Sequence, residues 1–185
     1  MATLILAVIC CGVYPLIVTG IGQALFPDHA SGGIIQRNNK AIGAKIIGQG
    51  FSKPEYFHGR PSSAGDKGYD AANSSGSNLG PTNQKFFDAV KGNVENVLKE
   101  NPTLKKGDVP VDLVTASASG LDPHISPESA MVQADRVAQA RKVGVDQVKA
   151  LIQEHIVGPQ LGIFGESTVN VLLLNLALDE KFTVK

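Results

Sequence analysis

Four side chains near the middle of the chain carry groups able to do chemistry at short spacing: His58 with Arg60, and Asp122 with His124. Arginine offers a planar fork of donors and histidine changes charge near neutrality, so the first pair suits anion binding or proton donation. Pairs of this kind also serve as loop clips, bonding backbone carbonyls. Asp122 and His124 together with His58 would form the start of a metal site, but a metal needs three or four converging ligands, and nothing in the spacing makes these converge. No metal is expected. Ser119-Gly120 has the look of a nucleophile turn, yet G-x-S-x-G demands glycine where Ser117 stands. The run Ser74-Ser75-Gly76-Ser77-Asn78 offers amides and hydroxyls that suit a phosphate; a Walker loop, however, needs Gly-Lys-Ser or Gly-Lys-Thr, and neither tripeptide occurs.

All of these residues lie on loops, which the neighbouring elements must hold. From Pro61 to Pro81 the density of Gly, Ser, Asn and Pro excludes regular structure, while Tyr56, Phe57 and Tyr69 favour an ordered, packed loop over a free linker. Ahead of it, Gly33 to Arg37 reads as a strand, Asn38-Asn39 as a turn, and Ala41 to Phe51, punctuated by glycine, as two short strands. Behind it, Thr82 or Asn83 caps a helix whose stripe is Phe86, Phe87, Val90, Val94, Val97 and Leu98, ending near Asn101-Pro102.

Val109 to Val114 reads as a strand, with Val111, Leu113 and Thr115 on one face. Ser117 to Ile125 is a second loop. Ser126-Pro127 starts a helix that runs to about Lys142, before Gly144. Asp146 caps another, burying Val148, Leu151, Ile152 and Ile156 and ended by Gly158-Pro159. Val169 to Leu174 is expected as a central strand, with Asn175 to Asp179 as a final turn or short helix. The fold class is mixed α/β.

The N-terminus sets the organisation. Met1 to Pro27 contains no Asp, Glu, Lys or Arg. A helix over Ala2 to Phe26 would measure roughly 37 Å, enough to cross a ~30 Å hydrocarbon layer with some tilt. We therefore expect a transmembrane helix over 1–27 and one soluble α/β domain over 28–185. A cleavable signal peptide fits poorly, since no basic n-region precedes an apolar run too long for an h-region. Gly12, Thr19, Gly22 and Gln23 share a face of this helix, and small or polar faces are how membrane helices pack on protein. Pro15 deletes an amide hydrogen and crowds the Cys11 carbonyl, which predicts a kink.

Net charge is zero and no basic run occurs, so nucleic-acid binding is disfavoured. Cys10 and Cys11 are adjacent within the apolar run, leaving the rest of the chain cysteine-free. Arg37, Lys40 and Lys45 all follow the helix, so the positive-inside rule taken literally would put the domain in the cytoplasm.

Several stretches together carry a family resemblance: Tyr14-Pro15; Tyr56-Phe57-His58-Gly59-Arg60-Pro61-Ser62; Ser75-Gly76-Ser77-Asn78-Leu79; Val114-Thr115-Ala116-Ser117 with Gly120-Leu121-Asp122; Arg136-Val137-Ala138 with Ala140-Arg141; and Val169-Asn170-Val171 with Leu174 to Asp179. Almost end to end, the chain resembles the C subunit of the Kdp potassium-transporting ATPase. The resemblance implies a single-span, non-catalytic accessory subunit of a bacterial inner-membrane complex, needed for assembly and activity.

Its implied partners are a potassium-channel-like subunit, a P-type ATPase subunit and a small membrane subunit. Its soluble domain would be extracytoplasmic, against the charge rule. The family usually carries polar or basic residues before the helix; here Met1 nearly abuts it, which reads as a trimmed start.

The resemblance also implies a catalytic-chaperone role that raises the ATP affinity of the ATPase subunit, with Ser74, Ser75, Gly76, Ser77 and Asn78 as the nucleotide loop. No cofactor is expected on the chain itself, ATP belonging to the ATPase subunit. Partner contacts are expected at Gly12, Pro15, Thr19, Gln23, His58, Arg60, Asn78, Asp122 and His124. The alternative is a membrane-anchored extracytoplasmic enzyme or binding protein using His58, Arg60, Asp122 and His124.

Overall fold

A computed structural model describes residues 1–37 and 39–182. Contacts divide the chain into two compact units, Met1–Ile46 and Ile47–Lys185. The first begins with one apolar helix, Ala2–Leu25, whose residues bury nothing inside the unit. It is built as α1 (Ala2–Val8), a π turn (Ile9–Val13) and α2 (Tyr14–Leu25). The π turn stands where the proline argument predicts a kink: widening the turn before Pro15 makes room for its ring and its missing N–H. A short α3 (Pro27–Ala30) follows, then an antiparallel pair, β1 (Ile34–Arg37) and β2 (Lys40–Ala44), in which Ile34 faces Ala44 and Arg37 faces Lys40. Of the expected Asn38-Asn39 turn, Asn38 lies outside the described residues, and Asn39 takes a left-handed φ of 58°. A second strand expected before Phe51 does not form; Lys45 to Asn83 contains neither helix nor strand.

In the second unit the helices fall close to expectation. α4 (Gln84–Glu100) is capped by Asn83, whose side chain accepts from Lys85 N at 2.9 Å. α5 (Pro127–Arg141) is capped by Ser126, accepting from Ser129 N at 3.0 Å, and stops with Lys142, not a glycine, in the left-handed conformation. α6 (Val145–Glu154) is capped by Gly144 instead of Asp146, which sits in the first turn; the Gln147 side chain accepts from Gly144 N. That helix ends before Ile156, which belongs to a strand.

Two strand expectations are corrected. Val109 to Val114 forms no strand: Lys106–Asp108 and Val111–Leu113 are 3-10 turns. Its backbone groups bond locally, Val114 N to Val111 O at 3.1 Å and Thr115 N to Val111 O at 3.0 Å. Asp112 is occupied instead at the start of α5, accepting from Ser126 N at 2.7 Å and from the Ser129 hydroxyl. Val111 is consequently exposed while Leu113 is buried, so they share no face.

Val169 to Leu174 is likewise only half strand. β3 (His124–Ile125), β5 (Thr168–Asn170) and β4 (Ile156–Val157) form a small antiparallel sheet with β5 in the centre, and α7 (Val171–Lys181) begins where β5 ends. Asn170 caps it, accepting from Leu173 N at 3.1 Å. A short aliphatic run fits a buried strand or a buried helix equally well by periodicity. Here the run continues into an end-buried helix, with Val171, Leu172, Leu174 and Leu178 all covered.

The core of this unit gathers Phe57, Ile125, Ala130, Ala134, Val137, Val148, Leu151, Ile152, Val169, Leu174 and Leu178. Small residues on α5 let α6 approach it closely, and the loop from Lys45 to Asn83 contributes Phe57, fully buried, with Phe51 partly buried against the same cluster.

Candidate functional site

The stretch from Pro54 to His58 is fixed group by group by side chains of α5 and α7. Arg136 donates from one nitrogen to Pro54 O at 2.6 Å and to Tyr56 O at 2.9 Å, and from another to Gln133 Oε1 at 2.7 Å. Arg141 donates to Glu55 O at 2.7 Å and pairs with Asp179 at 2.8 Å, its guanidinium 5.0 Å above the Tyr56 ring.

Asn175 accepts from Phe57 N at 2.8 Å and donates to Phe57 O at 3.0 Å. Gln133 does the same for His58, at 2.8 Å and 3.1 Å. Side-chain amides thus take the place of a neighbouring strand, satisfying the polar groups of an extended segment that lies in the core. Burial draws the Arg136 guanidinium below its ordinary pKa, with Glu100 opposing.

This strap sets where His58 and Arg60 stand, and it separates them. The His58 ring lies 3.0 Å from Glu100 Oε2 and 3.1 Å from Lys53 O, joining the strap to the end of α4. Arg60 instead donates to Asp122 at 3.0 Å, and Asp122 accepts from His124 N at 3.0 Å. The His124 ring sits 3.7 Å from the same carboxylate. Burial raises the Asp122 pKa, but the His124 ring and amide and the Arg60 guanidinium outweigh it, and the group is held below its ordinary value.

Tyr69 closes the other side, donating to Arg60 O at 2.5 Å. Burial, reinforced by Asp122 and opposed by Arg60, pushes its phenol up to about 12. An open cavity of about 340 Å³ adjoins this cluster, lined also by Asp112, Ser126, Glu166 and Thr168. Among the described residues no three His, Cys, Asp or Glu side chains are placed to hold a metal ion.

The Ser74–Asn78 loop packs on the Ser117–Gly120 loop. Ser74 Oγ donates to Ser119 O at 2.9 Å and Ser75 Oγ to Ser63 O at 2.7 Å. Gly76 and Gly120 are the close points: a Cβ on Gly76 would lie 2.7 Å from Ala118 O, and one on Gly120, at φ +67°, 2.5 Å from Ser75 O. Ser119 Oγ accepts from Leu121 N, the bond of a turn residue.

Of the expected residues, Arg60, Asp122 and His124 come together, His58 stands apart from them, and Gly12, Pro15, Thr19 and Gln23 lie on the N-terminal apolar helix in the other unit. Gln133, Arg136, Arg141 and Asn175 are not among the expected site residues, although Arg136, Arg141 and Asn175 fall in stretches that carry the family resemblance. Their physical signal is polarity at buried-face positions of helices otherwise made of Ala, Val and Leu.

A membrane-capable helix followed by a mixed α/β domain, whose polar motifs are largely bonded within the fold, is consistent with a class of single-span membrane proteins. The family model for the c chain of K+-transporting ATPase, KdpC, matches residues 1–180. The chain is 52% identical over 177 residues to the potassium-transporting ATPase KdpC subunit of Nitratidesulfovibrio vulgaris, covering 96% of this chain and 89% of the relative. It is 54% identical to that of Ralstonia nicotianae, covering 90% and 81%, and 56% identical to that of Mycobacterium bovis, covering 90% and 88%. The chain belongs to the KdpC family, a non-catalytic subunit of the Kdp potassium-transporting ATPase complex.

Proposed function

We propose that this chain is the single-span accessory subunit that joins the membrane and outer parts of the Kdp assembly. Its helix docks through Gly12, Thr19 and Gln23, with Pro15 setting the bend, on the spans of the potassium-channel-like subunit and the small membrane subunit. Its domain lies outside the cytoplasm and meets the channel-like subunit through the loops bearing His58, Arg60, Asn78, Asp122 and His124. Any gain in ATP affinity reaches the ATPase subunit through these contacts, with no nucleotide held by this chain alone. The observation that carries the reading is the helix itself: none of its residues is buried, and a Cβ added at Gly12, Gly20 or Gly22 would meet nothing within 4 Å. Glycine faces of that kind let another helix approach closely in lipid.

Topology is the test. Lys67→Cys in a background lacking Cys10 and Cys11 should react with an impermeant maleimide in intact cells that express the whole complex. Labelling that needs permeabilised cells would put the domain on the cytoplasmic side and end the proposed arrangement.

A further inference from the structure

Between β4 and β5 the chain makes a projecting turn that nothing in its own unit covers. Gln160 and Phe164 bond each other's backbone, N to O at 2.8 Å and 2.9 Å. At its tip Leu161 is 88% exposed, Ile163 78% and Phe164 64%, with Val157 at 62% beside them. Leu161 also stands at φ 54°, a left-handed conformation that leucine rarely adopts. A closed, preformed turn therefore holds a strained leucine and three other apolar side chains in water.

We propose that this turn is a docking knob, and that its occupant is an apolar pocket on the extramembrane surface of another subunit of the same transporter. The proposal rests on the accessory-subunit reading above. Three observations select that occupant. From Ile156 to Gly165 there is no charged residue, and Glu154 and Glu166 flank the stretch. Glu154 is paired with Lys181 at 2.6 Å, so the stretch carries no basic excess and, without Trp or Tyr, lacks what binds an anionic lipid surface. Second, four side chains of this size offer only a few hundred Å², short of the ~800 Å² per partner of a standard interface, so the turn alone cannot hold two copies of the chain together. Third, such a knob adds usefully to an assembly already joined elsewhere, because the second contact then forms at high effective concentration. A subunit fixed to its complex through a membrane helix is in that position.

The experiment uses the full chain in its native complex, with a photoreactive benzoylphenylalanine at Ile163 and, separately, at Thr19 in the membrane helix. A cross-link from Ile163 to another transporter subunit, identified by mass, is the expected result. Cross-links to lipid or to a second copy, or none while the chain still copurifies with the transporter, overturn the knob but leave the accessory-subunit reading intact. Loss of copurification for the unmodified chain removes both.

In parallel, Leu161→Asn with Phe164→Ser keeps the left-handed turn accessible and removes the apolar tip. Both positions are exposed, so the thermal midpoint should stay unchanged while retention in the detergent-solubilised complex falls about tenfold. Unchanged retention would count against the knob.

Discussion

Arg60 is held from two sides by groups that let go at opposite ends of the pH scale. Asp122 has its native pKa below the ordinary value, so its contribution to stability is present above about pH 4 and is lost as pH falls through the native pKa. The Tyr69 phenol is raised to about 12, so its contribution is present below the ordinary tyrosine pKa and is lost as pH rises from there towards that value. Urea unfolding of the full chain in detergent should show both limbs. Asp122→Asn is expected to flatten the acid limb and leave the alkaline one, and Tyr69→Phe to do the reverse. If both variants kept the wild-type pH profile, the Arg60 cluster would have no part in pH-linked stability. The pairing of Arg60 with Asp122 was open in the sequence, because two motifs 62 residues apart meet only through the tertiary fold. His58, two residues from Arg60, joins a different cluster: its ring is held by Glu100 and the Lys53 carbonyl, while Arg60 reaches Asp122.

Among the elements, what could be read in advance is what local chemistry decides. Asn83 and Ser126-Pro127 declare helix starts because an unpaired N–H needs an acceptor within three residues. The misread stretches are those whose partners lie elsewhere: Val109 to Val114 becomes turns because Asp112 is committed to α5, and Val171 onward becomes helix because the core wraps it. The strap from Pro54 to His58 was legible only as an ordered loop. Its holders on α5 and α7 lie far along the chain, and no periodicity announces them.

Arg136→Ala would leave the Pro54 and Tyr56 carbonyls and Gln133 Oε1 without that donor inside the protein. The expected loss is roughly 3 kcal/mol, read from the urea midpoint at constant slope. Arg136→Lys should recover little of it, because a point ammonium cannot reproduce a planar fork with three acceptors in different directions. Full rescue by lysine would mean that charge, and not geometry, holds the strap.

For the whole molecule, the two units have different reasons to fold. Every residue of the buried cluster, from Phe57 to Leu178, lies in the second unit. That unit has about 140 residues, a size at which a chain buries enough apolar surface to be stable alone. Among the described residues the first unit holds no part of that cluster, and its 24-residue apolar helix is long enough to cross a membrane and buries none of its length inside the unit. Deleting Met1–Ile46 should therefore yield a soluble protein with one cooperative thermal transition and near-UV circular dichroism of packed Tyr56, Phe57 and Tyr69. A broad transition without that signal would show that the second unit depends on the first.

The same deletion separates the two contacts proposed for assembly. The knob at Leu161 to Phe164 is too small to bind strongly by itself, whereas the helix seam works in a medium that confines both partners. Coexpressed with the other subunits, the truncated chain should be lost from the purified complex, and fusing an unrelated membrane span in place of Ala2–Leu25 should restore it only in part. Complete restoration would assign the helix a purely tethering role and leave Gly12, Thr19 and Gln23 without a partner to explain them.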